Sequence, residues 1–238
     1  MSETAKLKLP LVAAAQAQKH VTVNEALVAI DAAVQLNVES RTLGSPPLVV
    51  VDGESYLVPV GAVNAWDQQD GKIASFVNGG WRFLTPDTGW QMWVEDEVVR
   101  LTFDGADWVE NVLATSANKA AIRAEVIELD FDVGAGGWSV DTATIIPPNS
   151  SVFAVTGRVL TTITGDLSDW SLGIDGAETR YGSGLGLGSG SWLRGVTGHP
   201  VTYYTPAALR LTANGGSFTG GVVRLAVHMM HFDLPDGD

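Results

Sequence analysis

The chain has 238 residues, of which 45% are apolar and 17% charged, and it carries 27 acids against 14 Lys and Arg for a formal net charge of −13. So acidic a chain is repelled by phosphate backbones and anionic lipid, and no lysine follows Lys119, so nucleic acid and membrane surfaces are excluded as expected partners. Cysteine is absent, which removes disulfides, thiol nucleophiles and cysteine-ligated zinc or iron–sulfur centres.

The first element in chain order is helical. Thr22 and Glu25 have the spacing of a capping box, in which each side chain satisfies a free N–H of the first turn. Val23, Leu27, Ile30 and Val34 then recur at helical spacing as one apolar stripe. Such a stripe either packs on its own domain or lines the axis of a homo-oligomer, since its spacing is also that of a coiled-coil seam. Pro46-Pro47 closes this segment. From Leu48 to Glu110 the pattern changes to short strands, Leu48-Val-Val-Val, Tyr56-Leu-Val-Pro and Ile73-Ala-Ser-Phe-Val, bounded by Asp52-Gly53, Asp70-Gly71 and Asn78-Gly79. Asp-Gly and Asn-Gly supply the positive φ that tight hairpin turns require. Phe76-Val-Asn-Gly-Gly-Trp81 and Phe103-Asp-Gly-Ala-Asp-Trp108 form a small repeat, predicting successive hairpins of one meander, each turn sealed by an indole.

Residues 111–124 are Ala-rich and read as a partly helical connector, with a domain boundary at 122/123. Beyond it, Glu125–Asp132 alternates strictly, Ile127, Leu129 and Phe131 on one face and Glu128, Asp130 and Asp132 on the other, as in a strand buried on one side. Further strands are predicted at 143–146, 151–163, 169–175, 201–205, 207–213 and 221–232. The expected fold class is mainly β. Residues 1–122 form a helix plus β-hairpin meander, and 123–238 form an antiparallel, jelly-roll-like β-sandwich.

Eight tryptophans against seven Phe and four Tyr make the chain Trp-rich. Sugars present apolar C–H faces with polar rims, and stack on flat rings flanked by acids, amides or arginine. Three stretches of the second half combine these groups: Asp166, Asp169 and Trp170; Tyr181 with Trp192 and Arg194 across a glycine-rich segment; and Tyr203-Tyr204. These eight residues are the candidate carbohydrate site. Tyr181–Trp192 lacks the Gly-Lys-Ser/Thr and following helix of a phosphate loop, and reads as a flexible surface loop.

The four histidines, His20, His199, His228 and His231, offer no metal set, because His228 and His231 fall on opposite faces of a strand. No Gly-x-Ser-x-Gly precedes a helix, and the acid pairs Asp166/Asp169 and Asp130/Asp132 are better explained as turn and solvent-face residues than as a glycosidase pair. No enzyme activity, cofactor or metal is expected. The opening Met1-Ser-Glu-Thr-Ala-Lys lacks a signal-peptide pattern and no run of about 18 apolar residues occurs, so synthesis in the cytoplasm is expected.

The segment Leu9-Pro-Leu-Val-Ala-Ala-Ala-Gln-Ala-Gln-Lys-His-Val-Thr-Val-Asn-Glu-Ala-Leu27 resembles a family of prophage and gene-transfer-agent proteins, as do Ser40-Arg-Thr, Trp66, Asp70-Gly71 and Gly80-Trp-Arg-Phe-Leu-Thr-Pro86 to Trp90. Leu211–Gly221, with the strand to His228, looks like the β-domain that such proteins carry. The resemblance implies a structural protein, a head spike or fibre, of a phage-like particle that is released by lysis and attaches to bacterial surface polysaccharide. By analogy with other spikes, residues 1–122 would anchor the protein and 123–238 would bind the sugar; other particle proteins would be partners, and the helix stripe in this particle setting points to a homo-oligomer, a trimer. A polysaccharide-degrading tailspike and a capsid decoration protein without sugar binding are the alternatives.

Overall fold

A computed structural model describes residues 3–12 and 19–237. Residues 15–18 of the Ala-Gln-Ala-Gln-Lys-His motif lie outside the described residues. The chain divides into two compact units, Met1–Val112 and Leu113–Asp238, ahead of the boundary expected at 122/123.

The first unit holds helix α1 (Lys19–Ala33) and two small sheets. Strands β1 (Asn37–Val38), β5 (Gln91–Val94), β6 (Val99–Phe103) and β7 (Trp108–Glu110) form one sheet, in which β1 runs parallel to β5. Strands β2 (Ser55–Leu57), β3 (Ile73–Val77) and β4 (Gly80–Leu84) form the other. Leu36, Val38, Leu57, Ile73, Met92, Val94, Val99 and Leu101 make one buried cluster, and Tyr56, Trp66 and Ala74 centre a second against which Trp81 packs.

Both members of the Phe…Trp repeat close hairpins. Asn78 and Gly79 have φ of 52° and 75°, the paired positive values of a two-residue hairpin turn, and set Phe76 directly opposite Trp81 with ring centroids 5.1 Å apart. In the other hairpin Asp104 Oδ1 accepts from the N–H groups of Ala106 and Asp107, and Phe103 faces Trp108 at 5.2 Å. The hairpins belong to different sheets, however, and not to one meander.

Three expectations for this unit are corrected. Helix α1 already includes Lys19, so Thr22, Glu25 and His20 are helical positions and not a start signal. Leu48–Val51 forms no strand; Leu48, Val49 and Val51 face solvent, because no neighbouring strand pairs with them. Of the stripe, Val23, Ile30 and Val34 are 44–47% exposed among the described residues and Leu27 is half-buried, so little of it packs on its own unit. The helix is held instead through Asp31, whose carboxylate accepts from Thr4 Oγ1 at 2.7 Å, Lys6 N at 2.9 Å and Leu7 N at 2.5 Å.

The second unit is a jelly roll. The expected connector is extended, not helical: β8 (Val112–Thr115) leads to β9 (Ala121–Asp132), followed by β10 (Ser139–Ile146), β11 (Ser150–Gly165), β12 (Asp169–Ile174), β13 (Ala177–Leu185), β14 (Trp192–Tyr203), β15 (Ala207–Asn214) and β16 (Phe218–Asp233). One sheet has the order β14-β11-β16-β9-β8 and the other β10-β15-β12-β13, so most connections cross between sheets in the double Greek-key pattern of a jelly roll. Antiparallel pairing joins the strands within each sheet. Trp170, Leu172, Leu209, Leu211, Phe218 and Leu225 are fully buried between them. The alternation of β9 holds: Ile127, Leu129 and Phe131 pack against this core while Glu128, Asp130 and Asp132 face outward.

Two glycines permit close backbone approach, Gly195 between the sheets and Gly173 within the β12–β13 hairpin. A Cβ on Gly195 would lie 2.1 Å from the Tyr181 carbonyl oxygen, and one on Gly173 would lie 2.0 Å from that of Ala177. The segment 181–192 is not wholly a loop, because β13 extends through Leu185 and β14 begins at Trp192.

Candidate functional site

The eight candidate residues separate by depth. Trp170 is 1% exposed, and its Nε1 donates to the Gly186 carbonyl at 3.1 Å. Tyr181 and Tyr203 are also buried, their hydroxyls hydrogen-bonded to each other at 2.7 Å. These three rings are core, because strand alternation in β12, β13 and β14 turns them inward, and none can stack on a surface ligand. Asp166 and Asp169 are ties between loops. Asp166 accepts from Ser217 N at 2.6 Å and Ser217 Oγ at 3.0 Å, which holds its carboxyl below the usual range. Asp169 accepts from Asn214 Nδ2 at 2.5 Å and Ser168 Oγ at 2.9 Å. Tyr204 is exposed but lines no groove with the rest. On the surface of the described residues, Trp192 and Arg194 are the candidates that come together.

They do so on the outer face of the five-stranded sheet. Residues directly opposite on antiparallel strands share a face, with Cβ atoms about 5 Å apart. Trp192 is opposite Arg158, Arg158 opposite Arg224, and Arg224 opposite Asp130, which gives a row across β14, β11, β16 and β9. The next row is Arg194, Thr156, Ala226 and Glu128. Together they form a shallow groove of about 430 Å³ lined by Glu128, Thr156, Arg158, Trp192, Arg194 and Arg224. The Trp192 indole is 66% exposed, and the Arg194 guanidinium lies 6.0 Å from its ring centroid, within reach of a cation–π contact.

The charges of the groove are unevenly matched. Arg224 donates to both oxygens of Asp130 at 2.6 and 2.7 Å and lies 3.7 Å from Glu128 Oε1. These bonds raise the Arg224 pKa and lower that of Asp130. Arg158 and Arg194 have no carboxylate partner among the described residues. Glu128 is the single carboxylate in the lining, already beside Arg224, whereas glycoside hydrolysis ordinarily requires two. The two histidines of β16 are bonded apart, His228 Nε2 to Thr156 Oγ1 at 3.0 Å and His231 Nε2 to Glu125 Oε2 at 2.7 Å. Among the described residues no three His, Asp or Glu side chains converge as metal ligands.

Arg158, Arg224 and Glu128 were not among the sequence candidates. The alternation of β9 put Glu128 outside, but their meeting depends on the register of strands remote in sequence.

No curated protein matches the chain. A chain of the Cyanophage Pam1 capsid asymmetric unit is similar at 20% identity over 50% of this chain and 92% of that one, with a TM-score of 0.33, too low to transfer fold or role. No helix among the described residues is long and apolar enough to cross a membrane. Residues 23–109, within the first unit, match the model of DUF2793, a family described as protein of unknown function.

Proposed function

We propose that the chain is a structural spike or fibre subunit of a phage-like particle, of the prophage or gene-transfer-agent kind, and that its jelly roll attaches the particle to bacterial surface polysaccharide without cleaving it. The observation that carries the reading is Trp192, a large apolar ring kept two-thirds exposed beside a groove with hydrogen-bonding walls. An exposed indole with polar groups at its edge is the surface on which a sugar ring stacks. The particle setting rests on the sequence resemblance of the first unit.

The first unit anchors the subunit to other particle proteins, and the exposed stripe Val23, Ile30 and Val34, with the half-buried Leu27, joins copies into a homo-oligomer, a trimer. Many weak sugar sites on one particle then act together by avidity. Pull-down of purified protein on capsular polysaccharide tests the reading, with Trp192→Ala expected to weaken retention about tenfold, the scale of one aromatic contact. Shortening of the polymer during incubation would show an enzyme instead, and no retention on any surface glycan would leave a capsid decoration protein.

A further inference from the structure

We infer that the groove beside Trp192 selects anionic polysaccharide, a glycan bearing carboxylate or phosphate groups, through Arg158 and Arg194. The inference rests on the carbohydrate reading above and narrows it to a ligand class.

The first argument is the unrelieved charge. Arg158 stands directly opposite Arg224, and Arg194 is its diagonal neighbour on β14. Like charges directly opposite on a sheet are destabilising. Arg224 is relieved by Asp130, but Arg158 and Arg194 are not, although acids outnumber Lys and Arg 27 to 14 in the chain. Elsewhere in the second unit Arg123 and Arg210 are held by Asp233 and Asp141, and Arg180, which also has no carboxylate partner among the described residues, lies outside the groove lining. Two guanidiniums without carboxylates, converging on one groove in so acidic a chain, fit an anion that comes from outside.

The second argument is the geometry of the row. Trp192 and Arg158 are a directly opposed pair, and the Arg194 guanidinium lies over the Trp192 ring, so a sugar against the free part of the indole is within reach of both guanidiniums. The planar guanidinium fork matches carboxylate and phosphate oxygens in pairs. A neutral sugar there returns to Arg158 and Arg194 the same kind of hydroxyl acceptor that water supplied, whereas an anion adds ion pairing to those bonds.

The third concerns range. Ions screen exposed charges beyond about 8 Å at physiological salt, so the overall charge of −13 does not set the potential in the groove. Its own groups do: Arg158, Arg194 and Arg224 stand against Glu128 and Asp130, and both carboxylates lie beside Arg224, so the positive charge left over is at Arg158 and Arg194.

The test compares polygalacturonate with the same polymer after carboxyl reduction, and a poly(glycerol phosphate) teichoic acid with neutral dextran, by calorimetry on the full chain. Binding to either anionic polymer should exceed that to its neutral counterpart by at least tenfold and should fall by about tenfold as salt rises from 50 to 300 mM. Arg158→Gln with Arg194→Gln should abolish the preference, while Arg180→Gln on β13 leaves it intact; circular dichroism confirms that each variant is folded. Preference for carboxylate over phosphate, or the reverse, identifies the source of the anion. Equal binding to charged and reduced polymers overturns the inference and leaves the carbohydrate reading standing. No binding to any of the four overturns both. If the double variant instead changes the mass of the particle in solution by light scattering and not its glycan binding, the face is an interface between copies and the inference falls.

Discussion

The hydroxyl pair Tyr181–Tyr203 gives a quantitative check on which rings belong to the core. Both side chains are buried, and their oxygens lie 2.7 Å apart. Burial, with the bond from Tyr203, pushes the Tyr181 pKa far above its ordinary value, so the Tyr181 hydroxyl keeps its proton at physiological pH. Tyr203→Phe removes one hydroxyl and leaves the other buried without its partner, which costs about 1–3 kcal/mol. Tyr181→Phe should cost a similar amount. Replacing both removes the stranded group together with its partner, so the double variant should lie within about 1 kcal/mol of the parent. The double-mutant cycle then yields a coupling of about 1–6 kcal/mol, the two single costs together less that of the double variant. Urea denaturation of the intact chain, with hydrogen exchange read on peptides from β13 and β14, measures all four corners. Additive single substitutions would refute the buried pair. Loss of glycan binding by the folded double variant would return these rings to the surface site.

Trp170→Ala should cost about 3–5 kcal/mol, as other buried aromatic truncations do, whereas Trp192→Ala should change stability by no more than about 0.5 kcal/mol; thermal melts of the two variants separate core from surface indole. Gly195→Ala drives a methyl into the Tyr181 carbonyl and should destabilise the jelly roll by about 1–3 kcal/mol, read as a lower melting temperature. Acid should loosen the N-terminal segment. Burial raises the Asp31 pKa, but bonds from the Lys6 and Leu7 N–H groups and Thr4 outweigh it, and the carboxyl lies below its ordinary 3.8. A depressed folded pKa means stability that is complete above about pH 4 and lost as pH falls through the folded value, because the unfolded chain then binds the extra proton. Hydrogen-exchange protection factors at Thr4, Lys6 and Leu7, each taken relative to the intrinsic amide rate at the same pH, should therefore fall below pH 4 and stay constant from pH 5 to 7; equal protection at pH 2.5 and 6 would contradict it.

What the sequence determined by itself was local. Strict alternation in β9 fixed which of Ile127, Glu128, Leu129 and Asp130 face the core, and Asn78-Gly79 fixed the hairpin that sets Phe76 against Trp81, because both depend on backbone geometry within a few residues. Alternation and composition also made the mainly β, jelly-roll-like class legible. Local text could not place the tryptophans, since Trp170 and Trp192 both sit among small polar residues and differ only in which side of their sheets they occupy. It also misread Leu48–Val51, a strand-like run that lacks a pairing partner. The groove was decided by tertiary structure alone. Arg158, Trp192 and Arg224 become neighbours through the register of β14, β11 and β16, and a one-residue slip in any of those pairings would turn its side chains to the opposite face.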